Sequence, residues 1–313
     1  MRSGLAEKGF VWIEDDGLPI LGIPGSKTTV SPLTKAHKFC KEQWILFKFM
    51  TSSRPGRIRV YGSGKSEFFS DSKLILYIRR YPMSDIEKDY DSKLDELRRR
   101  IKSPKNFQSA MELALGIHAI THTGEVSSSD TPTFCDELLD GLEEDDYSVM
   151  PTEKDETIAW HLWHIARIED LVGNLLIAEK PQIFSDEWME RLNVSVKDTG
   201  NAMTDDEIIG FSKQVKKQEL INYRNAVGRQ TRELLKALTP GDLKRKPSDG
   251  SLARLVSEGG LLEVKKSIWL KKLWGSYTVT GLILLPLTYH HMIHLPDSVR
   301  IKEFVKKSRS QTL

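Results

Sequence analysis

Eight histidines occur among the 313 residues, and seven fall into three tight groups: His118 and His122; His161 and His164; His290, His291 and His294. A neutral imidazole carries one donor and one acceptor, so several rings turned inward without partners are costly. A divalent metal answers that cost. Imidazole suits Zn²⁺, Ni²⁺, Fe²⁺ or Cu²⁺, and an i,i+4 pair plus one ring from a facing helix makes a three-histidine shell. Such a shell leaves positions open for water or substrate. Without carboxylates or thiolates in it, Mg²⁺ and Ca²⁺ are disfavoured.

Helical geometry sorts the rings by face. At about 100° per residue, His290 and His294 lie one turn apart on the same side. Val279, Ile283 and Leu287 share that side, so it faces a core, whereas His291 is rotated toward the flank. Around the second group Ile158, Leu162, Ile165, Val172 and Leu176 mark a buried stripe. His161 falls near its centre and His164 on its edge, beside Leu171 and Leu175. Spacing alone leaves both open as the third ligand. His118 and His122 share a face with Met111, Ala114 and Leu115. A lone inward histidine is more often a hydrogen-bonded core residue than a ligand, so these two are read as packing or supporting residues.

Four long helical segments must position these groups. They are expected over about Asn106–Gly124, Asp155–Glu179, Thr204–Leu238 and from after Gly275 through Leu295. The third opens on Thr204 with Glu207 three residues on, a capping-box pattern. Four such helices predict a mainly α fold, a four-helix bundle over residues 105–307, with 308–313 as a tail. Residues 83–104 read as a charged helical linker. Residues 1–82 read differently: Gly/Pro punctuation and short β-like runs, RIRVYG and KLILYIRRY, predict a small α+β or poorly ordered segment of unassigned role. Met83 is a candidate start of a shorter chain, to which residues 1–82 would be appended.

The bulk numbers narrow the function class. A hydrophobic content of 39% allows a real core, and a net charge of +2 gives no reason to expect nucleic acid or an anionic membrane as partner. Cys40 and Cys135 form no CxxC pair, which points to a reducing compartment and a cytoplasmic protein. The first residues lack a signal-peptide apolar run, and Val279–Leu287 is too short to span a bilayer. Gly62 to Ser66 imitates the end of a P-loop, but Arg59 stands where its first glycine is required. ATP binding is therefore rejected. Lys244, Arg245 and Lys246 read as a solvated loop, and Trp160 and Trp163 as packing or interface residues.

The text WHLWHIARIED, Trp160 to Asp170, and YHHMIHL, Tyr289 to Leu295, resembles the DinB-like superfamily of four-helix bundles. The resemblance runs from near Asn106 to near Lys306, supported by HAITHTGEVS, TFCDELLDGL and LLPLTYHH. It implies one metal ligand from the second helix and two from an HxxxH of the last, which are His164, His290 and His294 by position. His161 is left outside. Leu295-Pro296-Asp297 stands where many members carry Arg-Gly-Gln, a departure that affects neighbouring contacts rather than ligands. The resemblance implies a divalent transition metal (zinc, nickel or iron) and a metal-dependent transferase using a low-molecular-weight thiol. The alternative is a non-catalytic, stress-related metal- or ligand-binding bundle. No catalytic residue is assigned. Glu169 is read as a solvated or salt-bridged carboxylate ahead of a base or ligand-orienting group. A homodimer and a small-molecule thiol or electrophile are the expected partners.

Overall fold

The computed structural model describes residues 46–49, 58–61, 85–153 and 155–312. The chain divides into two compact units, Met1–Ser84 and Asp85–Leu313. In the first, strands β1 (Leu46–Phe49) and β2 (Ile58–Tyr61) pair antiparallel, Leu46 opposite Tyr61 and Phe49 opposite Ile58. The RIRVYG run thus contains a strand. Cys40, the glycines at 62 and 64, the KLILYIRRY run and Met83 lie outside the described residues.

The second unit is helical. Helix α1 (Asp85–Arg100) carries i,i+3 and i,i+4 ion pairs on its outer side, such as Lys88–Asp85 and Lys93–Asp89. Its inner side buries Tyr90, Leu94 and Leu97, which share a core with Ala110, Met111, Ala114 and Ile117 of α2 (Phe107–Thr121). The stretch expected as a linker therefore lies packed on the bundle.

The bundle proper comprises α2, α3 (Ile158–Asp170), α4 (Lys217–Ala237) and a last long element. Helix α3 runs on as a π-helical segment, Leu171–Ile177. The last element starts as α5 (Val279–Leu284), passes through a second π segment, Leu285–Tyr289, and continues as α6 (His291–Thr312). Two apolar clusters fill the interior. One gathers Leu171, Val172, Leu175 and Leu176 with Val279, Ile283 and Leu287; the other gathers Ile158, Leu162 and Ile165 with Tyr223, Val227 and Leu295.

Two expected boundaries are corrected. The single helix expected over Thr204–Leu238 is two, Asp205–Gln214 and α4, because Val215 and Lys216 are extended. The break is held by tertiary bonds: Lys216 N donates to Leu192 O at 3.0 Å, and Lys217 Nζ to Val215 O at 3.0 Å. No Gly or Pro marks it. The capping box stands as expected, Glu207 N donating to Thr204 Oγ1 at 3.3 Å and Thr204 N to Glu207 Oε2 at 2.7 Å. The last helix continues to Thr312 rather than ending at Leu295, with Pro296 inside it. Pro296 forfeits one backbone bond, while Leu295 and Ile301 on either side are fully buried and hold the helix in place. Among the described residues, no helix is long and apolar enough to cross a membrane.

Leu175 is fully buried inside the π segment. Leu175→Ala is expected to cost about 2–5 kcal/mol, read as a lower urea midpoint. A loss below about 1 kcal/mol would show that this segment is not packed as described.

Candidate metal centre

Every residue of α3 and of its π continuation is buried. Thr157 caps the start, its Oγ1 accepting from Trp160 N at 3.1 Å and pairing with Ser212 Oγ at 2.6 Å. A helix enclosed on all sides must satisfy each polar side chain internally. Four consecutive carbonyls do much of this for α3. Arg167 Nε donates to Lys197 O at 3.0 Å, Trp163 Nε1 to Asp198 O at 3.0 Å, His164 Nδ1 to Thr199 O at 2.7 Å, and Trp160 Nε1 to Gly200 O at 3.2 Å.

The third of these bonds decides chemistry. A carbonyl only accepts, so Nδ1 of His164 carries the proton and Nε2 keeps its lone pair. Trp160 stacks on the ring, centroids 4.5 Å apart and 9° from parallel, and fixes its plane. Gly200 permits the approach: its φ is +76°, and a Cβ there would sit 2.8 Å from Trp160 Nε1.

From the last helix, His290 and His294 turn their Nε2 atoms toward each other at 3.2 Å. The His164 ring lies 5.1 Å from that of His290 and 4.7 Å from that of His294. One nitrogen from each of the three lies within 4.8 Å of the others. The structure thus brings together the three residues singled out in the sequence. His161 stands behind them. Its Nδ1 meets Nδ1 of His294 at 3.0 Å, and its Nε2 points at Glu156 Oε2 at 4.0 Å. At 4.0 Å Glu156 does not hydrogen-bond this ring, but its charge favours a proton on Nε2 of His161, whose Nδ1 then accepts from His294 Nδ1–H. The Nε2 of His294 is then left with a lone pair. Such outer partners set the tautomer of a metal-binding imidazole. His164 and His294 are buried, and His290 is partly exposed and forms the open edge.

The π segment explains an expectation that the structure overturns. His290 N bonds Leu285 O, five residues back, at 2.9 Å, and Thr288 Oγ1 caps Ile283 O at 2.8 Å. The extra residue in that turn shifts the face of everything after it by about 100° relative to a regular helix. His291, projected onto the flank, is instead fully buried.

His291 belongs to a second cluster. Glu169, read in the sequence as a solvated or salt-bridged carboxylate, is fully buried and ion-paired. His118 Nε2 lies 2.8 Å from its Oε1; His122 Nε2 and His291 Nε2 lie 3.0 and 3.4 Å from its Oε2. Burial pushes the Glu169 carboxyl up, but the imidazoles of His122 and His118 outweigh it and hold it well below the usual carboxylate range. Burial lowers His122 to about 3 against the pull of Glu169. His118 and His122, taken for packing residues, therefore surround a charge. The available signal was a glutamate inside an otherwise enclosed helix. Asp170, beside it, accepts from Tyr223 OH at 2.7 Å, Asn174 Nδ2 at 2.8 Å and the backbone N of Ile183 and Phe184, and so ties α3 to α4 and the following loop.

No curated protein matches the chain. Among solved structures, the conserved protein of a locus from Enterococcus faecalis is similar at 16% identity and a TM-score of 0.41, over 72% of this chain and 99% of that one. Residues 132–264 match the family model of the DinB superfamily. That segment contains α3 and α4, hence His161, His164 and Glu169, while His290 and His294 lie beyond it. Over residues 132–264 the chain is similar to the DinB superfamily.

Proposed function

We propose that the chain holds one divalent transition metal on the Nε2 atoms of His164, His290 and His294, and that it transfers a low-molecular-weight thiol to an electrophile at the edge opened by His290. The observation that carries the reading is the convergence of one nitrogen from each of these rings within 4.8 Å. The protons of two rings are already committed elsewhere, on Thr199 O and on His161. An all-imidazole donor set suits zinc, nickel or iron.

When bound, the ion supplies Lewis-acid charge that favours a thiolate over a thiol. The chain's own residues do the rest. Thr199 and Trp160 orient His164, while His161, backed by Glu156, orients His294. Burial of His164 and His294 confines approach to the His290 side. In the transfer the S–H proton leaves to solvent, the sulfur forms a bond to the electrophilic carbon, and the leaving group departs with its electron pair. Glu169, the carboxylate closest in sequence to His164 on α3's C-terminal side, is enclosed among three other histidines. That removes it as a general base for hydrolysis and favours a nucleophile that needs none. The burial of two of the three rings favours a second reading, a bundle that holds metal or a ligand without turnover. Thermal shift and product assays with Zn²⁺ or Ni²⁺ plus small thiols separate the two: stabilisation by metal with no thiol effect and no product selects the binder.

In equilibrium dialysis, His164→Ala, His290→Ala and His294→Ala each lose one equivalent of Zn²⁺ relative to wild type. His161→Ala keeps that equivalent but binds it about 10–100-fold more weakly. Unchanged zinc content in all three alanine variants would refute the site. Gly200→Ala, which needs an unfavourable φ and drives a methyl into Trp160, is expected to lower both Tm and zinc affinity, at about 1–3 kcal/mol of strain. Gly210→Ala, in a helix with open space around it, is expected to be neutral or stabilising. Equal effects of the two substitutions would mean that the Gly200 contact does not position the centre.

A further inference from the structure

We propose that His118, His122 and Glu169 form a second, closed metal site, separate from the open one, in which a first-row divalent ion pins α2 to α3 inside the bundle. One ligand atom from each lies within 4.8 Å of the other two, and all three residues are fully buried. The rings of His118, His122 and His291 contact one another, as do those of His164, His290 and His294, with His161 against His294.

Hydrogen-bond bookkeeping at His122 points to a cation. Its Nδ1 lies 3.1 Å from the carbonyl oxygen of His118, and its Nε2 lies 3.0 Å from Glu169 Oε2. Both neighbours only accept, a neutral imidazole has a single N–H, and the one hydroxyl near Nδ1, Thr121 Oγ1 at 3.5 Å, donates to His118 O at 3.0 Å. With the proton on Nδ1, as the carbonyl requires, the Nε2 lone pair faces a carboxylate oxygen. Two lone pairs directed at each other in a dry interior repel, unless a cation lies between them. The other carboxylate oxygen, Oε1, faces Nε2 of His118 at 2.8 Å, so both oxygens of Glu169 are directed at an imidazole nitrogen. Two imidazoles and a carboxylate are a donor set for zinc, iron, manganese or cobalt rather than for a hard cation with all-oxygen ligands.

The neighbours sharpen the assignment. Arg224 Nη2 lies 3.3 Å from His291 Nδ1, and a guanidinium only donates, so Nδ1 of His291 is the acceptor and its Nε2 carries the proton. The proton on Nε2 of His291, 3.4 Å from Glu169 Oε2 but without a hydrogen-bond partner, keeps this ring from being a ligand. Arg224 is itself anchored on Thr121 O at 2.5 Å and Cys135 Sγ at 3.2 Å. On the other side Gly228 of α4 lies against the His122 ring: a Cβ there would meet Cδ2 at 2.4 Å and Nε2 at 2.8 Å. The backbone has been brought close enough to fix that ring, as a ligand requires. The competing account is a metal-free cluster in which a neutral His122 donates from Nε2 to Glu169 and accepts at Nδ1 from Thr121 Oγ1.

The test is zinc or cobalt content of the full chain after loading with Zn²⁺ or Co²⁺ and desalting, with folding checked by circular dichroism. Wild type is expected to hold two ions per chain. His290→Ala/His294→Ala, which leaves the closed cluster intact, holds one, and in the cobalt form keeps its visible absorption band. Glu169→Gln, which keeps shape but removes charge, also holds one. If the closed site alone binds, wild type and the double variant each hold one and Glu169→Gln none, which upholds this proposal while removing the open site. Wild type with one ion and the double variant with none overturns it and selects the metal-free cluster. Should Glu169→Gln fail to fold, the double variant alone decides.

Discussion

Helix α3 and its π continuation have no solvent-facing side, yet they carry His161, His164, Arg167, Glu169, Asp170 and Asn174. Each uncompensated polar group there would cost of order 1–3 kcal/mol. The fold around the helix is largely the answer to that constraint. The chain from Lys197 to Gly200 is laid along α3 so that four carbonyls in succession meet four N–H groups. Tyr223 and the start of the next loop close on Asp170, and three imidazoles close on Glu169. The same bonds that make burial tolerable also choose tautomers. Because Thr199 takes the proton of His164, the opposite nitrogen keeps the lone pair that binding a cation requires. Satisfying the core and building the centre are one event.

The π segments serve the same end. A regular helix through Val279, Ile283, Leu287 and on would leave His291 on the flank. Five-residue spacing at Leu285–His290 turns the first residues of α6 so that His290 and His294 serve one cluster and His291 the other. Helix α3 does the matching work with His164 on one cluster and Glu169 on the other. Two helices thus present ligating groups to two places in the same bundle. One has a partly exposed edge and the other has none.

Much of this was readable from spacing. The grouping of seven histidines, the i,i+4 pair at 290 and 294, the apolar stripes and the Thr204 capping box are local patterns, and local geometry decides them. The choice of His164 over His161 was not decided by spacing. It depends on Thr199 and Glu156, which meet α3 only after folding. The split at Val215 was invisible for the same reason, since a bond to Leu192 makes it and no breaker residue announces it. His291 was misplaced because a straight-helix projection assumes regular turns, and the group that His118 and His122 face was not legible because that carboxylate lies 47 residues from His122. The helix at 85–100 reads as charged and solvated by composition, and only its partner shows that Tyr90, Leu94 and Leu97 form a buried side.

Anomalous diffraction at the zinc edge, from crystals of the full chain grown with Zn²⁺, addresses the convergence of the three open-site imidazoles most directly. The account predicts a peak at about 2.0–2.1 Å from Nε2 of His164, His290 and His294, with Nδ1 of His164 still bonded to Thr199. A map without a peak between those rings, or a zinc ion bound through Nδ1 of His164 with the Thr199 bond broken, would contradict it.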